Sequence, residues 1–237
     1  MNSGTLYLIP VPLGEDSLTS VIPPDVQSTA QQLTHFIVEA PKTARAMLKW
    51  FGTPHELRSM WMAELNEHTQ EKELSTLLEP LLAGHDVGLM SEAGCPGVAD
   101  PGANLVRLAH TRGIKVAPLV GPSSILLALM ASGANGQKFR FNGYLPADAT
   151  ARKEAIRKLE QDSLKLKQAE IFIETPYRNG ALFDSLLAAC RPQTLLTVAR
   201  DLTTADELTA TREIAQWKRE DAPDLHKRPT VFVLYAG

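Results

Sequence analysis

Three loops rich in glycine and proline have the composition best suited to hold a small molecule. They span residues 10–14, 91–102 and 121–124, and each follows a short apolar run. Glycine lets a ligand approach the backbone closely, and proline limits the entropy that a loop loses on binding. A single loop of this kind is an ordinary turn. For three loops of this composition, a ligand site and a set of ordinary turns are equally good explanations.

The residue patterns of several common catalytic and binding sites are absent from the sequence. It contains no G-x-G-x-x-G or P-loop pattern, no H-E-x-x-H, no paired C-x-x-C and no G-x-S-x-G. Its two cysteines, Cys95 and Cys190, lack the spacing of metal ligands, so we expect neither a metal site nor a disulfide. Glu92 and Asp100 are the carboxylates of the second loop, and we expect both to be solvated.

The elements that must position these loops alternate between short apolar runs and helical patterns, which indicates an α/β fold. Strands are predicted at 6–9, 36–38, 87–90, 114–120, 139–145, 171–173, 195–199 and 231–235. Helices are predicted at 41–51, 74–82 with a break at Pro80, 125–131, 150–167 and 182–189, and another ends at Gly113. The strict alternation weakens near residue 120, which predicts domains at 1–120 and 121–237. In an open parallel sheet, ligands bind at the carboxyl ends of the strands, where the three loops lie.

Composition narrows the class of protein. The 237 residues are 44% hydrophobic and carry a formal net charge of -3, so a generally basic surface is excluded and only a local basic patch could meet nucleic acid. Residues 1–9 lack the basic start of a signal peptide, and no apolar run reaches the ~20 residues that cross a bilayer. We expect a soluble, cytoplasmic protein without a membrane partner.

Seven blocks, in the same order, resemble the tetrapyrrole methylase superfamily, and within it the branch of 16S ribosomal RNA cytidine 2′-O-ribose methyltransferases. The blocks are residues 6–14, 91–102, 118–124, 141–146, 174–178, 200–203 and 229–230. The resemblance implies two dissimilar α/β domains, the first a mainly parallel five-stranded sheet and the second a mixed sheet. It also implies a cofactor cleft between them and a homodimer.

The resemblance further implies S-adenosylmethionine as the cofactor and assigns residues to it. The cofactor-binding residues would be Leu13, Gly94, Cys95, Val98, Ser123, Ser124, Thr175, Leu202 and Thr230. The candidate catalytic residues on the acceptor side are Glu39, Lys42, Tyr177, Arg178 and Arg200, with Glu174 beside them. Cys95 is expected to pack rather than to act as a nucleophile.

The sequence departs from the ribosomal RNA branch on the acceptor side. Ala40 and Pro41 interrupt an acidic segment, Tyr177 replaces a histidine, and Thr204 replaces a lysine. These departures fall on the acceptor side, so the resemblance supports the cofactor more strongly than the RNA substrate. From the resemblance we predict a methyltransferase acting on a ribose 2′-hydroxyl of ribosomal RNA, with the small ribosomal subunit as partner. Two alternatives stay open, which are methylation of a tetrapyrrole or other small molecule and cofactor binding without catalysis.

Several charged and aromatic residues allow two interpretations. A basic cluster could bind phosphate or form a solvated helix face, and three tryptophans are expected in the core or in a dimer contact. The cluster comprises Arg152, Lys153, Arg157 and Lys158, and the tryptophans are Trp50, Trp61 and Trp217.

Overall fold

The computed structural model describes residues 3–14 and 21–237. Its contacts divide the chain into two compact units, a first that ends at Ser123 and a second that begins at Ser124. The domain boundary expected near residue 120 stays a prediction. Within the described ranges, no helix is both long and apolar enough to cross a membrane.

The first unit is built on a five-stranded sheet with the order β3-β2-β4-β1-β5, in which every pairing is parallel. Its strands are β1 (Thr5–Leu8), β2 (His35–Val38), β3 (Trp61–Glu64), β4 (Val87–Met90) and β5 (Lys115–Pro118). Its helices are α1 (Pro24–Gln32), α2 (Pro41–Phe51), α3 (Leu74–Leu77), α4 (Glu79–Leu82) and α5 (Gly102–Thr111). The expected parallel five-stranded sheet is confirmed.

Proline and glycine set the helix boundaries of this unit. Pro41 occupies the first position of α2, where its missing N–H costs nothing, and Gly52 ends the helix in the left-handed conformation with φ of 76°. The leucine stripe at 74–82 forms two short helices because Pro80, near the start of α4, cannot continue the hydrogen-bond ladder. The predicted break is confirmed.

The inner strands β2 and β4 are buried on both faces of the parallel sheet, which is why they are nearly continuous apolar runs. Phe36 and Val38 point into one core cluster with Leu48, while Ile37 points into the other with Leu105. This alternation follows from the period of two along a strand. The α2 helix therefore covers one face of the sheet, and α5 covers the other.

The second unit has a mixed sheet with the order β6-β7-β10-β8-β9, in which β6 and β7 are parallel and the other pairs antiparallel. Its strands are β6 (Phe139–Tyr144), β7 (Ala169–Ile173), β8 (Leu195–Arg200), β9 (Leu208–Glu213) and β10 (Thr230–Tyr235). Its helices are α6 (Ser124–Ser132), α7 (Ala149–Leu166), α8 (Asn179–Ala189) and α9 (Ile214–Trp217). The expected mixed sheet is confirmed.

Two aromatic contacts lie in the core of the second unit. Phe172 stacks on Phe232 with 5.9 Å between ring centroids, and Phe183 meets Trp217 edge to face at 5.4 Å. The Trp217 indole N–H donates to the Leu196 carbonyl at 2.8 Å, so its one polar atom is satisfied in the core. Trp217 is thus a core residue.

Candidate cofactor and acceptor site

The loops at the carboxyl edge of the first sheet are tied to one another. Because all the strand pairs are parallel, the loops that follow β1, β4 and β5 leave the sheet at the same edge. Val11 and Gly94 exchange two backbone hydrogen bonds, of 2.9 and 3.1 Å, and the Leu119 amide donates to the Leu8 carbonyl at 3.0 Å. The three glycine- and proline-rich loops therefore form one connected backbone surface.

Two glycines allow these loops to approach so closely. A Cβ on Gly121 would lie 2.2 Å from both Cβ and Cγ of Pro10, so no side chain fits where the first and third loops meet. Gly94 is buried with φ of 72°, and a Cβ there would lie 3.3 Å from the Leu13 side chain. Gly121 is therefore needed for the contact between the two loops, and Gly94 for its left-handed backbone conformation.

The Cys95 thiol links the second loop to the third. Its Sγ donates to the Pro122 carbonyl at 3.3 Å and lies 3.8 Å from the Gly121 carbonyl. Burial raises the pKa of this thiol above its ordinary value, which disfavours the reactive thiolate. The contacts agree with a packing role.

Asp100 shapes the second loop, so the expectation that it is solvated is wrong. Its half-buried carboxylate accepts hydrogen bonds from the Gly97 amide, at 2.8 and 2.9 Å, and from the Gly102 amide at 2.8 Å. Burial raises the pKa of Asp100, and these amide donors oppose the rise. Ala99 between them has φ of 61°, a conformation that the amide contacts help to hold. Glu92, by contrast, is exposed.

Glu39 follows β2 at the same edge and lies among other carboxylates. Its Oε2 accepts a hydrogen bond from the Glu92 amide at 3.0 Å. Burial is the largest cause of its raised pKa, and the hydrogen bond from Glu92 acts in the opposite direction. The charges of Glu92, Asp100 and Glu67 raise the pKa further. A carboxylate with a raised pKa is a better proton acceptor than an ordinary one.

Lys42 stands in the first turn of α2 with an exposed side chain. It lines a cavity of about 370 Å³ together with Pro12, Gly14 and Trp50. Trp50 is 41% exposed and therefore lies outside the core of the first unit. The structure thus places Lys42 beside the first loop.

In the second unit, the segment after β7 is organised by Glu174, which is 5% exposed. Its Oε1 accepts hydrogen bonds from the Thr175 amide at 2.7 Å and from the Arg178 guanidinium at 2.6 Å. Arg178 also donates to the Thr175 hydroxyl at 3.3 Å. Oε2 of Glu174 is buried and accepts no hydrogen bond from any described residue. Such an atom requires a donor, which water or a ligand can supply.

Arg200 is held on all three guanidinium nitrogens. Nη1 donates to the Asp224 carbonyl at 2.7 Å, Nη2 donates to the Asp206 carbonyl at 3.1 Å, and Nε lies 3.2 Å from the Asp201 carboxylate. The contact between Nε and Asp201 is an ion pair by its distance, but its geometry does not meet the requirement for a hydrogen bond. Arg228 pairs with the carboxylates of Asp201 and Asp206 and lowers the pKa of Asp206. Arg200 is therefore anchored in its own loop.

Leu202 and Thr230 lie where the loop after β8 meets the start of β10. Both are buried, and the Asp201 amide donates to the Pro229 carbonyl at 2.9 Å. Asp201 and Thr203 have φ of 50° and 71°, which is strained for residues with side chains. The Thr230 hydroxyl donates to the Arg228 carbonyl at 3.0 Å.

Tyr177 is 73% exposed and has two neighbours that the sequence did not single out. The His226 ring meets it at 78° with 6.3 Å between centroids, and Lys227 Nζ lies 5.8 Å from the Tyr177 centroid. The signal for them was the run His226-Lys227-Arg228, directly before the matching block at Pro229.

The remaining predicted residues lie at the surface or at element ends. Val98 is half exposed on the second loop, Ser124 begins α6, and Ser123 precedes it. In the basic cluster, Arg152 is buried, so it belongs to the packing of α7 rather than to a phosphate-binding surface. Lys153, Arg157 and Lys158 are exposed.

The fold of the two sheets is shared with solved structures. The structure is similar to that of the methyltransferase CobJ, with a TM-score of 0.64, 20% identity and coverage of 99% of this chain and 94% of that one. It is also similar to diphthine synthase, with a TM-score of 0.66, 16% identity and coverage of 98% and 90%. At these identities the likeness shows the fold alone.

The family follows from the sequence comparison. Residues 5–217 match the model of the Tetrapyrrole (Corrin/Porphyrin) Methylases, and the chain belongs to this family. It is 30% identical over 231 residues to ribosomal RNA small subunit methyltransferase I of Xylella fastidiosa strain Temecula1, covering 98% of this chain and 80% of the relative. The Escherichia coli O157:H7 protein of the same name is 29% identical over 223 residues, covering 93% and 74%. The chain is a methyltransferase that uses S-adenosylmethionine, as the resemblance predicted.

The described residues fit such a cofactor. Its adenosine needs apolar and backbone surfaces, and its amino-acid end carries an ammonium and a carboxylate. Taken by itself, the first unit offers the backbone surface of its three connected loops. Taken by itself, the second unit offers a buried Glu174 oxygen that accepts no hydrogen bond from a described residue. The individual cofactor-binding and catalytic residues stay predictions.

Proposed function

We propose that this chain transfers the methyl group of S-adenosylmethionine to a ribose hydroxyl of ribosomal RNA in the small ribosomal subunit. The observation that carries the proposal is the extent of the match to relatives named for that substrate. It covers 98% of the chain and therefore includes the acceptor-side loops of the second unit as well as the cofactor loops of the first. Small ribosomal subunits place the reaction in the cytoplasm.

Two sets of residues would hold the cofactor. The first unit and the start of α6 would supply Leu13, Gly94, Cys95, Val98, Ser123 and Ser124, and the rest of the second unit would supply Thr175, Leu202 and Thr230. The shared feature of the first set is a backbone shape stabilised by loop-to-loop contacts. In the second set, Leu202 and Thr230 are buried and Thr175 is partly buried beside the ion pair of Glu174 and Arg178.

When bound, S-adenosylmethionine supplies a methyl group on a positively charged sulfur, which is already activated for transfer. The residues of this chain then have to align the acceptor hydroxyl, exclude water and accept a proton. We assign proton acceptance to Glu39, because burial and neighbouring carboxylates raise its pKa. Lys42, exposed beside the first loop, would stabilise negative charge on the acceptor oxygen.

On the second unit, Arg178 is the cation best prepared to meet RNA phosphate. Glu174 and Thr175 fix its guanidinium through two of its nitrogens, and the side chain is still 40% exposed. Arg200 is 15% exposed and fully engaged, so we assign it a positioning role for the loop that carries Leu202.

We also propose that the active form is a homodimer. Leu126 and Met130 lie one helical turn apart on α6 and are 51% and 78% exposed, a surface that an equivalent chain would cover. Met130→Lys is expected to shift the molar mass measured by light scattering from two chains toward one. An unchanged mass of two chains would remove α6 from the dimer contact.

The proposed reaction is tested by supplying tritiated S-adenosylmethionine with small ribosomal subunits from a strain that lacks the corresponding methyltransferase. We expect label in the RNA of the small subunit and none in large subunits or a tetrapyrrole precursor. Label in the tetrapyrrole would replace the RNA substrate by a small molecule. Calorimetric binding of S-adenosylhomocysteine without any transfer would leave a cofactor-binding protein without catalysis.

A further inference from the structure

We propose that Tyr177, His226 and Lys227 form a platform that stacks a base of the acceptor RNA and contacts its phosphate. This nucleotide platform lies in the second unit and rests on the proposed RNA substrate. His226 and Lys227 have no role in the cofactor site described above. The three side chains belong to two segments, the one that follows β7 and the one that precedes β10.

Tyr177 provides an aromatic surface that the fold leaves uncovered. With 73% of the residue exposed, its ring contributes almost nothing to the core. Lys227 Nζ lies over the ring at 5.8 Å and His226 meets it nearly at a right angle, so the ring is flanked but still accessible. An aromatic ring held in this way is the surface on which proteins stack unpaired RNA bases.

Lys227 has a strained backbone conformation, and its side chain lies over the Tyr177 ring. Its φ is 58°, which a residue with a Cβ adopts at a cost, and its amide donates to the Pro176 carbonyl at 3.1 Å. That hydrogen bond joins the two segments directly beside Tyr177. Asn179 adds a second tie through its side-chain amide, which donates to the Arg228 carbonyl at 2.7 Å. The backbone that carries the platform is therefore held by contacts within the second unit.

The chemistry of the platform favours a nucleotide over an apolar ligand. A base has a flat face for the tyrosine ring, and its phosphate is an anion for Lys227 and for the neighbouring Arg178 guanidinium. The chain carries a net charge of -3, so this local cationic surface is not a consequence of a generally basic protein. The departure of Tyr177 from the histidine of the ribosomal RNA branch is then a change of stacking group rather than a loss.

The test measures binding of a fluorescein-labelled single-stranded cytidine oligonucleotide to the full chain saturated with S-adenosylhomocysteine. Tyr177→Ala is expected to weaken binding about 10- to 100-fold, and Tyr177→Phe to retain it, since stacking needs the ring alone. Tyr144→Ala is the matched control, because Tyr144 is also an exposed tyrosine of the second unit, at 59%. It is expected to leave binding unchanged.

Lys227→Gly removes the cation while relieving the strained φ, so this variant should fold. It is expected to reduce the slope of log affinity against log salt concentration by about 0.7, the value for one phosphate contact on single-stranded nucleic acid. Lys167→Gly is its control, since Lys167 is likewise exposed with a positive φ, of 51°. Its slope should equal that of the wild-type chain.

The outcomes separate the platform from the proposed reaction. Equal effects of Tyr177→Ala and Tyr144→Ala, or an equal loss in Tyr177→Phe and Tyr177→Ala, would overturn the platform even if small subunits are methylated. Tyr177-dependent oligonucleotide binding without methylation of small subunits would support the platform and remove the proposed reaction. Absence of oligonucleotide binding by the wild-type chain overturns the platform.

Discussion

The close contact between Gly121 and Pro10 makes Gly121→Ala a decisive perturbation of the cofactor loops. The new methyl group would lie 2.2 Å from two ring carbons of Pro10, whereas ordinary contact begins at 3.4 Å, so the loops must separate by about 1.2 Å. The proline ring cannot rotate away from the methyl group. Overpacking of this kind costs about 1–3 kcal/mol of stability.

The functional effect should exceed the effect on stability. Separation of the first and third loops would disturb the Cys95 contact with Pro122 and the surface that faces the cofactor. Misplacement by about 1 Å can lower activity about 100-fold, and we expect S-adenosylhomocysteine affinity to fall at least 10-fold. Calorimetry measures the affinity, and thermal melting measures stability on the same sample.

Gly136→Ala is the matched control, because a Cβ there meets nothing within 4 Å. It should leave cofactor affinity unchanged and raise stability by up to about 1 kcal/mol through the unfolded state. If folded Gly121→Ala binds S-adenosylhomocysteine as tightly as the wild-type chain does, the first and third loops do not form the cofactor surface.

Three further substitutions test the electrostatics and packing. The raised pKa of Glu39 means that its ionised form destabilises the fold, so Glu39→Gln should raise the melting temperature at pH 8 while it lowers methyl transfer. The gain in melting temperature should shrink toward pH 5, and a gain independent of pH would contradict this reasoning. Arg152→Ala should lower the free energy of unfolding by about 2 kcal/mol, because the hydrogen bonds of Arg152 with Ser185 and Ala147 are lost. Exposed Lys153→Ala should change it by less than about 0.5 kcal/mol, and equal melting curves of the two variants would refute the buried role of Arg152. Burial and His85 lower the pKa of His35, so the stability of the wild-type chain falls as pH drops through 6.5 and below. His35→Phe keeps the ring stack with His85, and its stability relative to the wild-type chain should increase as pH falls. Parallel stability profiles against pH would contradict this.

The elements with strong local signals were predictable from the sequence. Strand β4 has the predicted bounds Val87–Met90, and α2 runs from Pro41 to Phe51 as predicted, because apolar runs and proline or glycine boundaries act locally. Strands β3 and β9 and helices α1 and α9 were missed. Strand β9 reads Leu-Thr-Ala-Thr-Arg-Glu and is set by its pairing with β8 at the sheet edge, which no local apolar run reports.

The candidate site was predictable as loops but not as contacts. Glycine and proline marked the cofactor loops, yet the contact of Gly121 with Pro10 joins residues far apart in sequence. Asp100 was expected to be solvated, and only the fold shows two loop amides directed at its carboxylate. His226 and Lys227 lie 49 and 50 positions after Tyr177, so their meeting depends on β10 pairing with β7.

The most direct test of the central claim is the chemical identity of the methylated product. Small-subunit RNA labelled by the wild-type chain would be digested to nucleosides and analysed by mass spectrometry, with Glu39→Gln as the impaired variant. We expect the added methyl group on the ribose of one nucleoside, and much less of this product from Glu39→Gln. A methyl group on the base, or label only in a small molecule, would contradict this expectation.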